Sequence, residues 1–342
     1  MINRLTAFLG DENFLALPWP EQPAPYLKLE SLNPAGSIKF KTALGLIEDC
    51  EAKGVLANGK RLIESSSGNL GVAVSMICAA RGYDFTCVVD PNTSRQNIRR
   101  MKVFGASIVE VTTPDANGGF LGSRIDHIRL LIDRDPRYHW INQYANEANP
   151  RIHRDTTGLS IDRSFDKLDY VFIGAGTTGT LMGCVARLSR RRPAPRIVAV
   201  DSVGSVTLGS PPGPRHIPGL GASRQPPLFD PAGLYAIALV PESVAIANCR
   251  YLARRQGILA GGSTGSVLAA IRAFQASFSP DDVVVAIAPD GGEPYLDTIY
   301  DDDWVQDRFG SDALIPSLGP PDAGQVVVRQ FGPKKISEVC HD

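Results

Sequence analysis

Short, almost unbroken apolar runs alternate along this chain with longer stretches whose apolar positions recur every three or four residues. The runs are RLIE (Arg61 to Glu64), FTCVVD (Phe85 to Asp90), SIVEVT (Ser107 to Thr112), DYVFIG (Asp169 to Gly174), RIVAVD (Arg196 to Asp201), YAIALV (Tyr235 to Val240) and DVVVAIAP (Asp282 to Pro289). A run with no polar alternation is the pattern of a parallel strand covered on both faces. Between the runs, NLGVAVSMICAARG, SRQNIRRMKVFGA and TGTLMGCVARLSRR carry the helical period. The alternation predicts an α/β fold with mainly parallel sheets and helices on both faces.

The rhythm breaks in three places. Around Trp140 to Pro150 the chain is expected to return between domains. The stretch GSPPGPRHIPGLGASRQPPLFDPAG reads as a long loop whose backbone is mobile or contacts a ligand. From about Asp312 there is Pro, Gly and little periodicity, which predicts a loosely packed tail. No internal repeat is visible.

Length and composition narrow the picture. A chain of 342 residues is too long for one small core and suits two domains. A net charge of -1 gives no reason to expect nucleic acid or an anionic membrane as partner. The apolar run from Leu70 to Ala80 is too short to span a bilayer, and the N-terminus lacks the pattern of a signal peptide. The six cysteines form no C-x-x-C pair and read as small buried hydrophobes in a reducing compartment. Neither they nor the five histidines have ligand spacing, so no metal is expected. These features together predict a cytoplasmic protein.

Candidate chemistry begins at LNPAGSIKFKTALGLI, Leu32 to Ile47, where Lys39 and Lys41 follow a tight turn at the mouth of a helix. The macrodipole disfavours a cation there. Three glycine-rich turns, each before a helical pattern, accompany it. ESSSGNLG (Glu64 to Gly71) offers short polar side chains and backbone N–H groups to an anion. GAGTTGTLMG (Gly174 to Gly183) can wrap an oxyanion with N–H and hydroxyl donors, and AGGSTGS (Ala260 to Ser266) is the third. None is a Walker loop. GAGTTG also loosely matches a dinucleotide-binding turn, with Asp201 as its acidic residue, which keeps a nicotinamide dehydrogenase open on this motif. Any one such turn is ordinary in an α/β protein. An anion cradle, a carboxylate-binding loop and a lysine together are what a pyridoxal phosphate enzyme requires.

KLESLNPAGSIKFKTA resembles the K-x-E-x-x-N-P-x-G-S-x-K-D-R motif of the fold type II, or β-family, pyridoxal phosphate enzymes that include cysteine synthase. SSGNLG resembles that family's T-S-G-N-T-G, GTTGT its G-T-G-G-T, and GGSTG the loop whose serine faces the pyridine nitrogen. INQYANEANP and PDGGEPYL resemble two further landmarks, all in family order from Lys28 to Leu296. The resemblance implies a two-domain, tryptophan synthase β-like fold and a homodimer. A large cofactor-binding domain would comprise residues 1–44 and 144–311, a smaller mobile domain 45–143, and a C-terminal tail 312–342. It also implies that Lys39 binds pyridoxal 5'-phosphate covalently and, once released, removes the substrate α-proton. Lys41 is then the surface lysine of the pair. Gly176, Thr177, Thr178, Gly179 and Thr180 would hold the cofactor phosphate, Asn69 the phenolic oxygen and Ser263 the pyridine nitrogen. Ser66, Ser67, Gly68, Asn69 and Gln143 would hold the substrate carboxylate. Where the family usually has Asp-Arg after the lysine, this chain has Phe40-Lys41.

Within the family, ESSSGNLGVA, PDANGGFLGSRI, INQYANEAN, PGLGASR and CVVDPNTSRQN resemble the synthases of the 2,3-diaminopropionate pathway of siderophore and peptide-antibiotic biosynthesis. That resemblance implies β-replacement of O-phospho-L-serine by L-glutamate, through an enzyme-bound aminoacrylate, to N-(1-amino-1-carboxy-2-ethyl)-L-glutamate. A phosphate and a dicarboxylate favour guanidinium partners, and Arg124 and Arg224 are the candidates. An ordinary surface role is equally open for each. The nearest rival is a cysteine synthase using O-acetylserine or O-phosphoserine. A cofactor-free binding protein on the same fold is more remote, given Lys39, Asn69 and Ser263.

Overall fold

The computed structural model describes residues 11–57, 59–115, 118–317 and 326–331. Expectations for the first ten residues, for Cys340 and for most of the tail lie outside them. The strands are β1 (Phe14–Ala16), β2 (Tyr26–Leu29), β3 (Arg61–Ser65), β4 (Phe85–Val89), β5 (Ser107–Glu110), β6 (Tyr138–Trp140), β7 (Tyr170–Gly174), β8 (Arg196–Ser202), β9 (Ala236–Val240), β10 (Val284–Ala288) and β11 (Val327–Gln330). The helices are α1 (Lys39–Ala52), α2 (Asn69–Arg81), α3 (Arg95–Val103), α4 (Leu121–Arg134), α5 (Ala148–His153), α6 (Leu159–Ser164), α7 (Gly179–Leu188), α8 (Glu242–Tyr251), α9 (Gly262–Ala273) and α10 (Asp302–Phe309).

The strands form two sheets. A four-stranded, all-parallel sheet runs β5-β4-β3-β6, and a seven-stranded sheet runs β1-β2-β10-β7-β8-β9-β11. In the larger sheet only the outermost strands are antiparallel, β1 on β2 and β11 on β9. Its central strands explain the unbroken apolar runs. Phe172, Val198, Val200, Ala236, Ala238, Val284 and Ala286 pack into one core with α9, whereas Val171, Ile173, Ile197, Ala199, Ile237, Val285 and Ile287 pack into another with α7. Successive residues point to opposite faces, and both faces are covered. A third core joins α1, α2 and the smaller sheet through Phe40, Leu46, Leu62, Val72, Cys87 and Met101.

Four short strands were not predicted: β1, β2, β6 and β11. The tail is the clearest correction, since β11 pairs with Ala236 to Leu239 of β9 and Val326 is buried in the core beneath it. Residues 140–150 turn sharply through Asn142, whose φ is 51°, before entering α5. Among the described residues no helix is long and apolar enough to cross a membrane. The carboxyl ends of the adjacent strands β7 and β10, with the loop after β3, open onto one cleft, the place where α/β sheets bind ligands.

Candidate active site

Lys39 is positioned by the turn before it. The side chain of Asn33 accepts from Ala35 N (3.0 Å) and donates to the carbonyls of Glu30 (2.8 Å) and Ser37 (2.9 Å). Gly36, at φ 72°, supplies the left-handed residue this turn needs. Ile38 N then donates to Pro289 O (2.7 Å), and Ser37 bridges Asp290. The first residue of α1 is thereby delivered into the cleft facing Asp290. Desolvation lowers the Lys39 amine below its ordinary value, opposed in part by the Asp290 charge.

Asp290 belongs to the PDGGEPYL landmark, whose resemblance implies no role for it. It is buried, and its Oδ2 accepts from Asn69 Nδ2 (2.8 Å) and from the Tyr295 hydroxyl (2.6 Å). Burial pushes its carboxyl up to about 6 in spite of these donors and of Lys39. Asn69 opens α2 and lines the cleft with its amide turned to Asp290.

Lys41 is not a surface lysine. Its side chain is 4% exposed, and its amine donates to Glu30 Oε1 (2.8 Å) and Thr157 Oγ1 (3.2 Å) and also to the carboxylate of Asp11. Lys28 joins the same cluster through Asp11 and Ser160. The helical period sets Lys41 beside Phe40 in the interior, and its partners come from distant segments that local sequence cannot show.

The cup at the carboxyl end of β7 is built from Gly174 to Thr180. α7 starts there with Thr178 as N-cap at φ 65°, and no side chain caps it. The buried Thr178 hydroxyl has no hydrogen-bond partner among the described residues. Asn149 braces the cup from behind, donating to Thr177 Oγ1 (3.1 Å) and Gln143 O (2.8 Å). It lies so close that a Cβ on Gly179 would fall 2.1 Å from its Oδ1. Across the cleft, Ser263 opens α9 beside Gly219 and Leu220 of the long loop, which forms one wall. Uncapped N–H groups, an orphaned buried hydroxyl and a glycine pressed against its neighbour form a cradle for a phosphate-sized anion. With an amine and a hydroxyl on the other walls, these residues fit pyridoxal phosphate.

The other expected residues lie around this cleft and do not line it. Ser66 Oγ accepts from Gly71 N (2.9 Å), so it caps α2. Gln143 donates from its backbone to Glu64 Oε2 and from its amide to Ser65 O, both at 2.9 Å. Glu64 itself was missed: it is fully buried and also accepts from Ser65 N (2.7 Å) and Trp140 Nε1 (3.0 Å). Burial pushes it up to about 7. Arg124 is buried on α4 with Nη1 3.2 Å from Asp90 Oδ2, while its Nε and Nη1 find no hydrogen-bond partner among the described residues. Arg224 is exposed. The dinucleotide alternative loses its acidic residue, because the Asp201 carboxylate is buried and accepts from Ser202 N (2.8 Å). The five described cysteines are all buried, free thiols.

Residues 17–290 match the family described as pyridoxal-phosphate dependent enzyme. The chain is 43% identical over 309 residues to the N-(2-amino-2-carboxyethyl)-L-glutamate synthase of Ralstonia nicotianae, covering 88% of this chain and 91% of that one. Among solved structures it is similar to O-ureido-L-serine synthase, with TM-score 0.82, 31% identity and coverage of 92% of this chain and 98% of that one. It is also similar to the O-acetylserine dependent cystathionine beta-synthase of Helicobacter pylori, with TM-score 0.80, 27% identity and coverage of 87% and 98%.

Proposed function

Because this chain belongs to the pyridoxal-phosphate dependent enzyme family and is a β-replacement enzyme, we propose that it joins O-phospho-L-serine to L-glutamate. The C–O bond at the serine β-carbon breaks, a C–N bond to the glutamate amine forms, and phosphate leaves. The product is N-(2-amino-2-carboxyethyl)-L-glutamate, also written N-(1-amino-1-carboxy-2-ethyl)-L-glutamate. The observation that carries this reading is the 43% identity with a relative bearing that product's name. The same reading makes the protein a cytoplasmic homodimer supplying a precursor of 2,3-diaminopropionate for siderophore or antibiotic assembly.

Bound pyridoxal phosphate supplies an aldehyde for amine capture and an electron sink for cleavage at the β-carbon. In our reading, residues Gly176 to Thr180 hold its phosphate, Asn69 its phenolic oxygen, Ser263 its ring nitrogen and Lys39 its aldehyde carbon. The remaining work falls to the chain's own groups. Desolvation favours the neutral amine of Lys39, the form able to attack a carbonyl and take the substrate α-proton. Ser263 presents a neutral hydroxyl and does not favour a protonated ring nitrogen, which directs the chemistry toward elimination over transamination. Ser67, Gly68 and the backbone N–H of Asn69 take the substrate carboxylate, on a loop held by Glu64 and Gln143. Arg124, paired with Asp90 but with Nε and Nη1 lacking a hydrogen-bond partner among the described residues, is the cation for a second carboxylate or the phosphate, and exposed Arg224 assists from the long loop.

Purified holoenzyme given O-phospho-L-serine with either L-glutamate or sulfide, followed by mass spectrometry, tests the assignment. We expect the C–N product with glutamate. Cysteine from sulfide and no product from glutamate would overturn it in favour of a cysteine synthase. Arg124→Met is expected to raise KM for glutamate or O-phosphoserine at least about tenfold, as the loss of a charge-assisted contact would do.

A further inference from the structure

Behind the phosphate cup, away from the cleft, a file of buried side chains runs from Lys41 to Thr180. Lys41 Nζ lies 3.2 Å from Thr157 Oγ1, which lies 3.1 Å from His153 Nδ1. The other ring nitrogen, Nε2, lies 2.9 Å from Thr42 Oγ1 and 3.3 Å from Thr180 Oγ1. His153, Thr157 and Thr42 are at most 1% exposed, and Thr180 is 9% exposed where it meets the cleft. We propose that His153 is a positioning residue for cofactor binding. It transmits a hydrogen-bond direction set by Lys41, so that the Thr180 hydroxyl is always a donor toward the cup.

The direction follows from donor and acceptor counting. An ammonium has three N–H donors and accepts nothing. Those of Lys41 are met by three acceptors, Asp11, Glu30 and Thr157. Thr157 therefore accepts from Lys41 and turns its own hydrogen to His153 Nδ1, the only other partner it has among the described residues. Nδ1 must then be the bare, accepting nitrogen. The ring is neutral, since burial above all, with the charge of Lys41 nearby, holds it well below its ordinary value. A neutral ring with a bare Nδ1 carries its proton on Nε2. That N–H points at the oxygens of Thr42 and Thr180, and neither hydroxyl can donate back to it. The Thr180 hydrogen is left for the cup. The opposite tautomer would draw that hydrogen inward and turn a lone pair toward the phosphate. Lys41 thus has a use beyond packing: its fixed charge orients a donor it never touches. The inference rests on the family's cofactor and is independent of which nucleophile the enzyme uses.

Nitrogen-15 NMR of histidine-labelled holoenzyme reads the tautomer directly, assigned with His153→Gln. We expect His153 to be neutral with its proton on Nε2. A proton on Nδ1, or an imidazolium, would overturn the proposal whether or not any variant folds. Thr157→Val removes the relay at a site outside the cleft and Thr157→Ser restores its hydroxyl. The equilibrium dissociation constant of pyridoxal phosphate should rise about tenfold in the first and stay within about threefold in the second. The double variant Thr157→Val with Thr180→Val should bind no more weakly than Thr180→Val alone. Additive losses would mean that Thr157 acts on the cup by another route and would also overturn the proposal.

Discussion

Lys41 and Glu64 are charged residues inside the molecule, and each makes a residue-scale prediction. Lys41→Met would leave Asp11 and Glu30 facing only Lys28, so folding stability should fall by roughly 3–5 kcal/mol in chemical denaturation. Glu64 titrates near 7 in the fold against an ordinary value of 4.5, so the folded chain binds its proton more tightly than the unfolded one. The associated stability is present below about 4.5 and is lost as pH rises through about 7, on the order of 3 kcal/mol in all. Glu64→Gln should flatten that slope in unfolding curves recorded across this range, and an unchanged slope would assign the titration to another group. At this scale the sequence was informative where a residue belongs to a motif. Lys39, Asn69, Thr177, Thr178 and Ser263 all line one cleft. Asp290, Glu64, Asn149 and His153 had no assigned role, because their importance lies in partners that are 27 to 221 residues away or in backbone they brace. Lys41 was misread for the same reason: nothing local distinguishes a lysine facing water from one facing Asp11 and Glu30.

At the scale of elements, legibility follows burial. The strands covered on both faces announce themselves as apolar runs, and β3, β4, β5, β7, β8, β9 and β10 all lie within one or two residues of the predicted limits. The missed strands have three or four residues and, β2 aside, little burial; β11 alternates little and only its partner β9 makes it a strand. Its role can be tested by ending the chain after Ser317. That truncation bares the hydrogen-bonding edge of β9 and removes buried Val326, so the thermal midpoint should fall and concentration-dependent self-association should appear in sizing chromatography. Gly179→Ala tests the start of α7. Its methyl would displace Asn149, and cofactor affinity should drop by at least about tenfold with the rest of the fold intact.

At the scale of the whole molecule, a small apolar seam joins α4 to the long loop. Leu121 and Ile125 on α4 meet Ala222 of the long loop, with Trp140 and Tyr144 alongside, and Gly119 abuts Ser223. We propose that residues 45–143 move as a unit and that this seam forms when they close. Ala222→Asp would put a charge into the seam and admit water, so a larger share of O-phosphoserine should end as pyruvate, measurable against product formation with lactate dehydrogenase. The sheet order has a further consequence, for the chain as it is made. β10, near the end of the sequence, is laid between β2, near its beginning, and β7. A nascent chain that has not yet emitted residues 284–288 has a gap one strand wide through the middle of its larger sheet. The turn that carries Lys39 hangs on one side of that gap and the cup on the other. Ribosome-bound intermediates can complete the four-stranded sheet early, but the site itself is assembled only after almost the entire chain has left the exit tunnel.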